Sequence, residues 1–436
     1  MNRIERFSLF LAAAGSALAW LVPSLMLRTE LPEWVGSRFY LYICGPAILL
    51  GTWSFHRYGG YAKSWTLLFC AALTCVGILW TDSTEQGRGM LLASAFLVTL
   101  PIASLIRKQN YLQQFLTSFA LVTALAMLYG LTQPAALGRW GEIVDNAGTH
   151  ITNANVVGTQ AAAGIMAVFM SFSRRGRWNR ILFAAALLVL VAVCLRTETR
   201  TGVLALAGAG FAVIVMRLRR KPALLFTAAF ATLVLFACLL AFDAAISDGS
   251  VSRSVVNRLV LDDEENLGSL GSRTSIWRFA GQEFFEGTTW LTGVGTGGVD
   301  KALGKFYEFT GRVAGRDRIW RLYPHNSLVQ NALAYGIFGL LLAFCLAAQV
   351  GRKAYLLDSR FGGWQRTAFA VFLGLVGTGG VVEREVYWIA LGSALWAMIS
   401  SDNLPSQARA AASRVWRTQA GQMRASQSSH ASPGFN

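Results

Sequence analysis

The chain has 436 residues, 54% of them hydrophobic and 14% charged, with a mean hydropathy of +0.44. Soluble domains carry about 25% charged residues, so this composition excludes an ordinary soluble enzyme and points to a membrane class. The formal net charge is +16; its Lys and Arg distribution reads as a membrane-topology signal, and no nucleic-acid partner is expected.

Apolar runs near membrane-spanning length fall at residues 7–27, 39–55, 64–80, 90–106, 115–131 and 156–172, then at 181–195, 201–216, 223–242, 328–350, 367–382 and 386–400. The runs are continuous rather than alternating, and only helices or closed barrels satisfy backbone polar groups in lipid, so they predict helices. The expected fold class is an all-α polytopic membrane protein with about twelve spans. Residues 1–242 would hold spans one to nine, 243–325 one long outward loop with short helices, 326–401 spans ten to twelve, and 402–436 a disordered cytoplasmic tail. Of the 39 Lys and Arg residues, an N-inside topology places 22 in inward segments, 7 in short outward loops and 10 in the long outward loop. That asymmetry predicts both termini inside.

The first residues, Met1 to Arg6, precede an apolar run containing Ala17-Leu18-Ala19 and have the form of a cleavable signal peptide. The run continues through Trp20 to Leu27, which predicts a first span instead. The six cysteines all fall inside apolar runs, where packing is the expected role. No predicted span carries Lys, Arg, Asp or Glu near its middle, which argues against a proton- or ion-coupled transporter and leaves uncoupled passage of a lipid open. The polar residues that invite chemistry gather on the outward side.

Arg196 and Arg200 bracket a very short outward turn, Arg196-Thr197-Glu198-Thr199-Arg200-Thr201-Gly202. Arg273 and Arg278 lie in the long loop. Arginine's planar fork suits a diphosphate, whereas snorkelling to headgroups is the common use of Arg at span ends, and position alone separates neither reading. The acidic run at residues 262–265 reads as a solvated loop rather than a metal site. Ile276, Phe279, Ala280 and Phe284 recur at helical spacing, which predicts an amphipathic loop helix lying at the interface or packed on a core. Gly293-Val294-Gly295-Thr296-Gly297-Gly298 matches G-x-G-x-x-G without a strand–helix unit around it, so it reads as a tight turn, not a dinucleotide site. Arg312, Arg316, Arg318 and Arg321 form a basic stretch ahead of His325.

Only four histidines occur, and topology places two of them, His150 and His325, outward. His325 precedes a helix whose first turn begins near Asn326 or Ser327, either of which can cap it. A helix N-terminus disfavours imidazolium, so a neutral, proton-accepting His325 is expected there. An interfacial polar anchor explains the same position equally well. Glu383 and Glu385 flank Arg384 between the last two spans.

With these residues placed, the chain resembles the O-antigen ligase and polymerase family. The resemblance rests on Arg196-Thr-Glu-Thr-Arg-Thr-Gly202, Gly271-Ser-Arg273, Pro324-His325-Asn326 with Gly336-Ile-Phe-Gly339, and Asn153-Ala-Asn155-Val-Val-Gly158, which carries Ala where the family has Pro. It covers roughly residues 153–388, and the N-terminal third matches in hydropathy alone. It implies a glycosyltransferase at the periplasmic face of the bacterial inner membrane. The donor would be a glycan on undecaprenyl pyrophosphate and the acceptor lipid A–core. No metal or other cofactor is implied. His325 would be the general base and Arg200 and Arg273 the pyrophosphate clamp, with Arg196 and Arg278 as substitutes and Asn155, Asn326 and Arg321 as further substrate-binding residues. A polymerase using the same donor is the close alternative. A protein O-oligosaccharyltransferase is more distant, since its relatives often carry an additional outward C-terminal domain.

Overall fold

The computed structural model describes residues 3–18, 33–58, 65–83, 86–106, 109–131, 143–144, 150–152, 154–171, 177–197, 199–218, 276–309, 324–361, 364–380 and 387–400. The helices before the long loop are α1 (Arg3–Ala17), α2 (Glu33–Tyr58), α3 (Trp65–Val76), α4 (Gln86–Leu105), α5 (Gln109–Leu131), α6 (Ala154–Ser171), α7 (Arg177–Arg196) and α8 (Arg200–Leu218). In the loop are α9 (residues 276–285), α10 (Thr289–Thr292) and α11 (Val299–Phe309). After it come α12 (Ser327–Phe361), α13 (Gln365–Gly379) and α14 (Trp388–Ser400). A short antiparallel ribbon, β1 (Ile143–Val144) with β2 (His150–Thr152), is the departure from helix among the described residues.

Every predicted span except the ninth overlaps one of these helices, and the ninth lies outside the described residues. The segments Tyr111–Tyr129, Ala154–Ser171, Arg200–Leu218 and Ser327–Ser359 are long and apolar enough to cross a membrane. The chain is therefore a multi-pass helical membrane protein. Its core is built where helices bury large side chains on small ones. Phe115, Phe119, Phe369, Phe372 and Trp396 are fully buried among alanines of α1, α6 and α14. Trp396 also satisfies its indole N–H by donating to Thr99 Oγ1 at 2.6 Å, as a buried tryptophan requires.

The last long helix corrects the sequence reading twice. First, α12 runs to Phe361 rather than ending near 350, so most of the predicted inward loop is helix. Hydropathy marks where apolar character stops, not where helical hydrogen bonding stops. The extension carries Asp358, whose carboxylate accepts from Thr367 N at 2.7 Å and pairs with buried Arg366 at 3.3 Å, capping α13 from outside. Second, α12 is broken at Gly336 (φ 62°, ψ −150°), a backbone state reserved for glycine, where an added Cβ would lie 2.5 Å from Leu291 O. A break leaves carbonyls without helical partners. The Gly-rich turn fills that need: Val294 N donates to Leu333 O at 2.8 Å and Gly295 N to Ala334 O at 2.9 Å. The G-x-G-x-x-G segment is thus a tight turn, and it serves as a finger plugged into a broken helix.

Candidate functional site

The turn between α7 and α8 is held from inside. Thr197 and Thr199 are wholly buried. The Thr197 hydroxyl donates to Cys194 O at 3.1 Å, and the Thr199 hydroxyl donates to Ala154 O at 3.2 Å, at the start of α6. Gly158 makes that approach possible, since a Cβ there would sit 2.0 Å from Thr199 Oγ1. Asn155, in the first turn of α6, and Arg200, the first residue of α8, are consequently neighbours by construction, and both are half-buried. Arg196, at the last position of α7, is exposed. A cation at a helix N-terminus opposes the macrodipole, whereas an anion there is favoured by both the dipole and the free amides. Arg200 places a cation at the start of α8.

At the head of α12 the cap is Asn326. Its Oδ1 accepts from Leu328 N at 2.8 Å and Val329 N at 3.3 Å, so the helix starts at Ser327. His325, just ahead of the cap, has φ 51° and is the one non-glycine with positive φ among the described residues. Such a backbone costs about 1–3 kcal/mol, and residues held this way cluster at functional sites. The preceding Pro324 is buried, and its carbonyl accepts from Trp277 Nε1 of α9 at 2.6 Å.

The end of α13 joins these two halves. Thr201, beside Arg200, reaches Gly379 O with its hydroxyl at 3.4 Å, and Ser327, two residues after His325, reaches Gly380 O at 3.2 Å. Consecutive carbonyls thus bracket the arginine turn against the histidine turn. The loop helix α9 closes a third side, with Ile276 and Ala280 packed against Val299, Leu303, Leu333 and Ala334. That packing uses the apolar face predicted for an interfacial helix. Arg278, on the same helix, is exposed.

Residues 185–344 match the family model described as O-antigen ligase. That segment is similar to the O-antigen ligase family. No curated relative matches the chain. The matched segment contains the C-terminal part of α7, all of α8, the described loop helices and the head of α12, and with them Arg196, Arg200, Arg273, Arg278, Arg321, His325 and Asn326; Asn155 precedes it.

Of the predicted site residues, Asn155, Arg200, His325 and Asn326 sit on helix ends that are bonded to one another, and Arg278 lies on the loop helix tied to Pro324. Arg273, Arg321, Glu383 and Glu385 lie outside the described residues, as does the acidic run at 262–265. Sequence reasoning missed Thr197, Thr199 and Trp277. The two threonines carry the only available signal, because hydroxyls inside a charged turn are candidates for backbone bonds. One turn deeper on α12, a cavity of about 140 Å³ opens between α3, α4, α12 and α14, lined by Gln330, Asn331, Tyr335, Thr296, Phe96 and Trp388 among others.

Proposed function

We propose that this protein is an O-antigen ligase that moves a glycan from undecaprenyl pyrophosphate to lipid A–core at the periplasmic face of the inner membrane. The observation that carries the reading is His325, held half-buried in a left-handed backbone at the head of α12, within the matched family segment. In this mechanism His325 takes the proton of an acceptor sugar hydroxyl, whose oxygen forms a bond to the donor's anomeric carbon. The bond from that carbon to the pyrophosphate oxygen breaks, and undecaprenyl pyrophosphate leaves with the electron pair. One displacement inverts the anomeric centre. Arg200 and Arg273, with Arg196 and Arg278 nearby in sequence, stabilise the charge growing on the diphosphate, and Asn155, Asn326 and Arg321 help seat the substrates. Neither a metal nor another cofactor takes part. Both termini are cytoplasmic, with residues 243–325 forming the periplasmic loop between the spans of 1–242 and 326–401, and 402–436 a cytoplasmic tail.

The test is a gene deletion followed by electrophoresis of lipopolysaccharide. Bare core is expected, restored to full-length chains by the wild-type gene and not by His325→Ala. Core carrying a single repeat unit would make the protein a polymerase instead, and complementation by His325→Ala would remove the base.

A further inference from the structure

We infer that Trp277 is a positioning residue that locks His325 in its strained backbone and ties the helix carrying Arg278 to it. This rests on the reading of His325 as the base. The Pro324 carbonyl belongs to the peptide plane that joins Pro324 to His325. For His325 to relax from φ 51° into the ordinary negative-φ region, that plane must swing. The Trp277 indole N–H, 2.6 Å from the carbonyl oxygen, opposes the swing. On the other side, Asn326 is committed to the amides of Leu328 and Val329 and cannot follow a relaxing His325 without uncapping α12. The histidine is therefore caught between two side-chain anchors on different elements.

The anchor on α9 is itself immobilised. Ile276 and Ala280, on either side of Trp277 in sequence, are buried against Leu303 of α11 and Leu333 of α12. Trp277 is 36% exposed, so burial of its ring does not account for its placement, whereas the indole N–H does. Because Arg278 follows directly, the same hydrogen bond fixes where its backbone stands relative to the head of α12. Misplacing a base by about 1 Å costs on the order of 100-fold in rate.

The experiment uses the full chain in nanodiscs, with lipid-linked glycan and lipid A–core as substrates. Trp277→Phe keeps an aromatic ring without the N–H, and 3-benzothienylalanine at position 277 replaces only the N–H by sulfur. Both should lower kcat roughly 10- to 100-fold with donor KM changed less than about threefold. Hydrogen exchange over residues 325–329 should quicken about tenfold, while the rest of α12 keeps its protection. Wild-type kcat with wild-type exchange in the benzothienyl protein overturns the inference, as does a kcat loss matched by loss of folded protein. Transfer that survives His325→Ala would instead remove the base reading, and the exchange measurement would still decide whether Trp277 holds the backbone.

Discussion

Arg200 keeps its place because Thr197 and Thr199 beside it are buried and bonded to backbone carbonyls. If its fork binds a diphosphate in paired hydrogen bonds, lysine cannot replace it. Charge-assisted hydrogen bonds contribute about 1.5–3 kcal/mol, so Arg200→Lys should raise donor KM about 10- to 100-fold, measured from initial rates against lipid-linked glycan. An unchanged KM would count against the clamp. Gln330 behaves oppositely. It is buried on the cavity wall, and its Oε1 has no hydrogen-bond partner among the described residues. A buried unpaired acceptor costs about 1–3 kcal/mol, so Gln330→Met should leave the thermal midpoint unchanged or raise it by a few degrees. A fall of several degrees would mean that the amide is satisfied in the folded protein.

At the scale of elements, the broken α12 sets the position of everything at the site. The break at Gly336 receives the finger of residues 293–298, and Thr296 extends the connection by donating from its hydroxyl to Thr74 O of α3 at 2.8 Å. Gly336→Ala should destabilise the protein by about 2–4 kcal/mol through strain and overlap with Leu291. The check is thermal unfolding of the purified variant, and an unaltered midpoint would show that the break is not enforced by this residue. Hydropathy made α12 legible in the sequence, and the Pro324-His325-Asn326 order made its start legible, because caps are local. The break and its plug were not legible. They depend on a loop some forty residues upstream, and a lone glycine in an apolar run carries no sign of its backbone state. Trp277 was invisible for the same reason: its partner is a carbonyl, which sequence does not distinguish.

For the molecule as a whole, hydrogen bonds join helices that are far apart in sequence. Gln160 of α6 donates to Ala17 O of α1, Ala390 N of α14 to Ser16 Oγ, and Thr199 to Ala154 O. The arginine turn, the loop helix and the histidine turn are bonded through α13 and Pro324. The most direct measurement is transfer by purified protein from undecaprenyl-pyrophosphate-linked glycan to lipid A–core with a metal chelator present, with the anomeric configuration of the product read by NMR. Full activity with inversion is expected, falling at least about 100-fold in His325→Ala, the scale of a lost general base. Undiminished transfer by that variant, retention of configuration, or strict dependence on added metal would contradict the account.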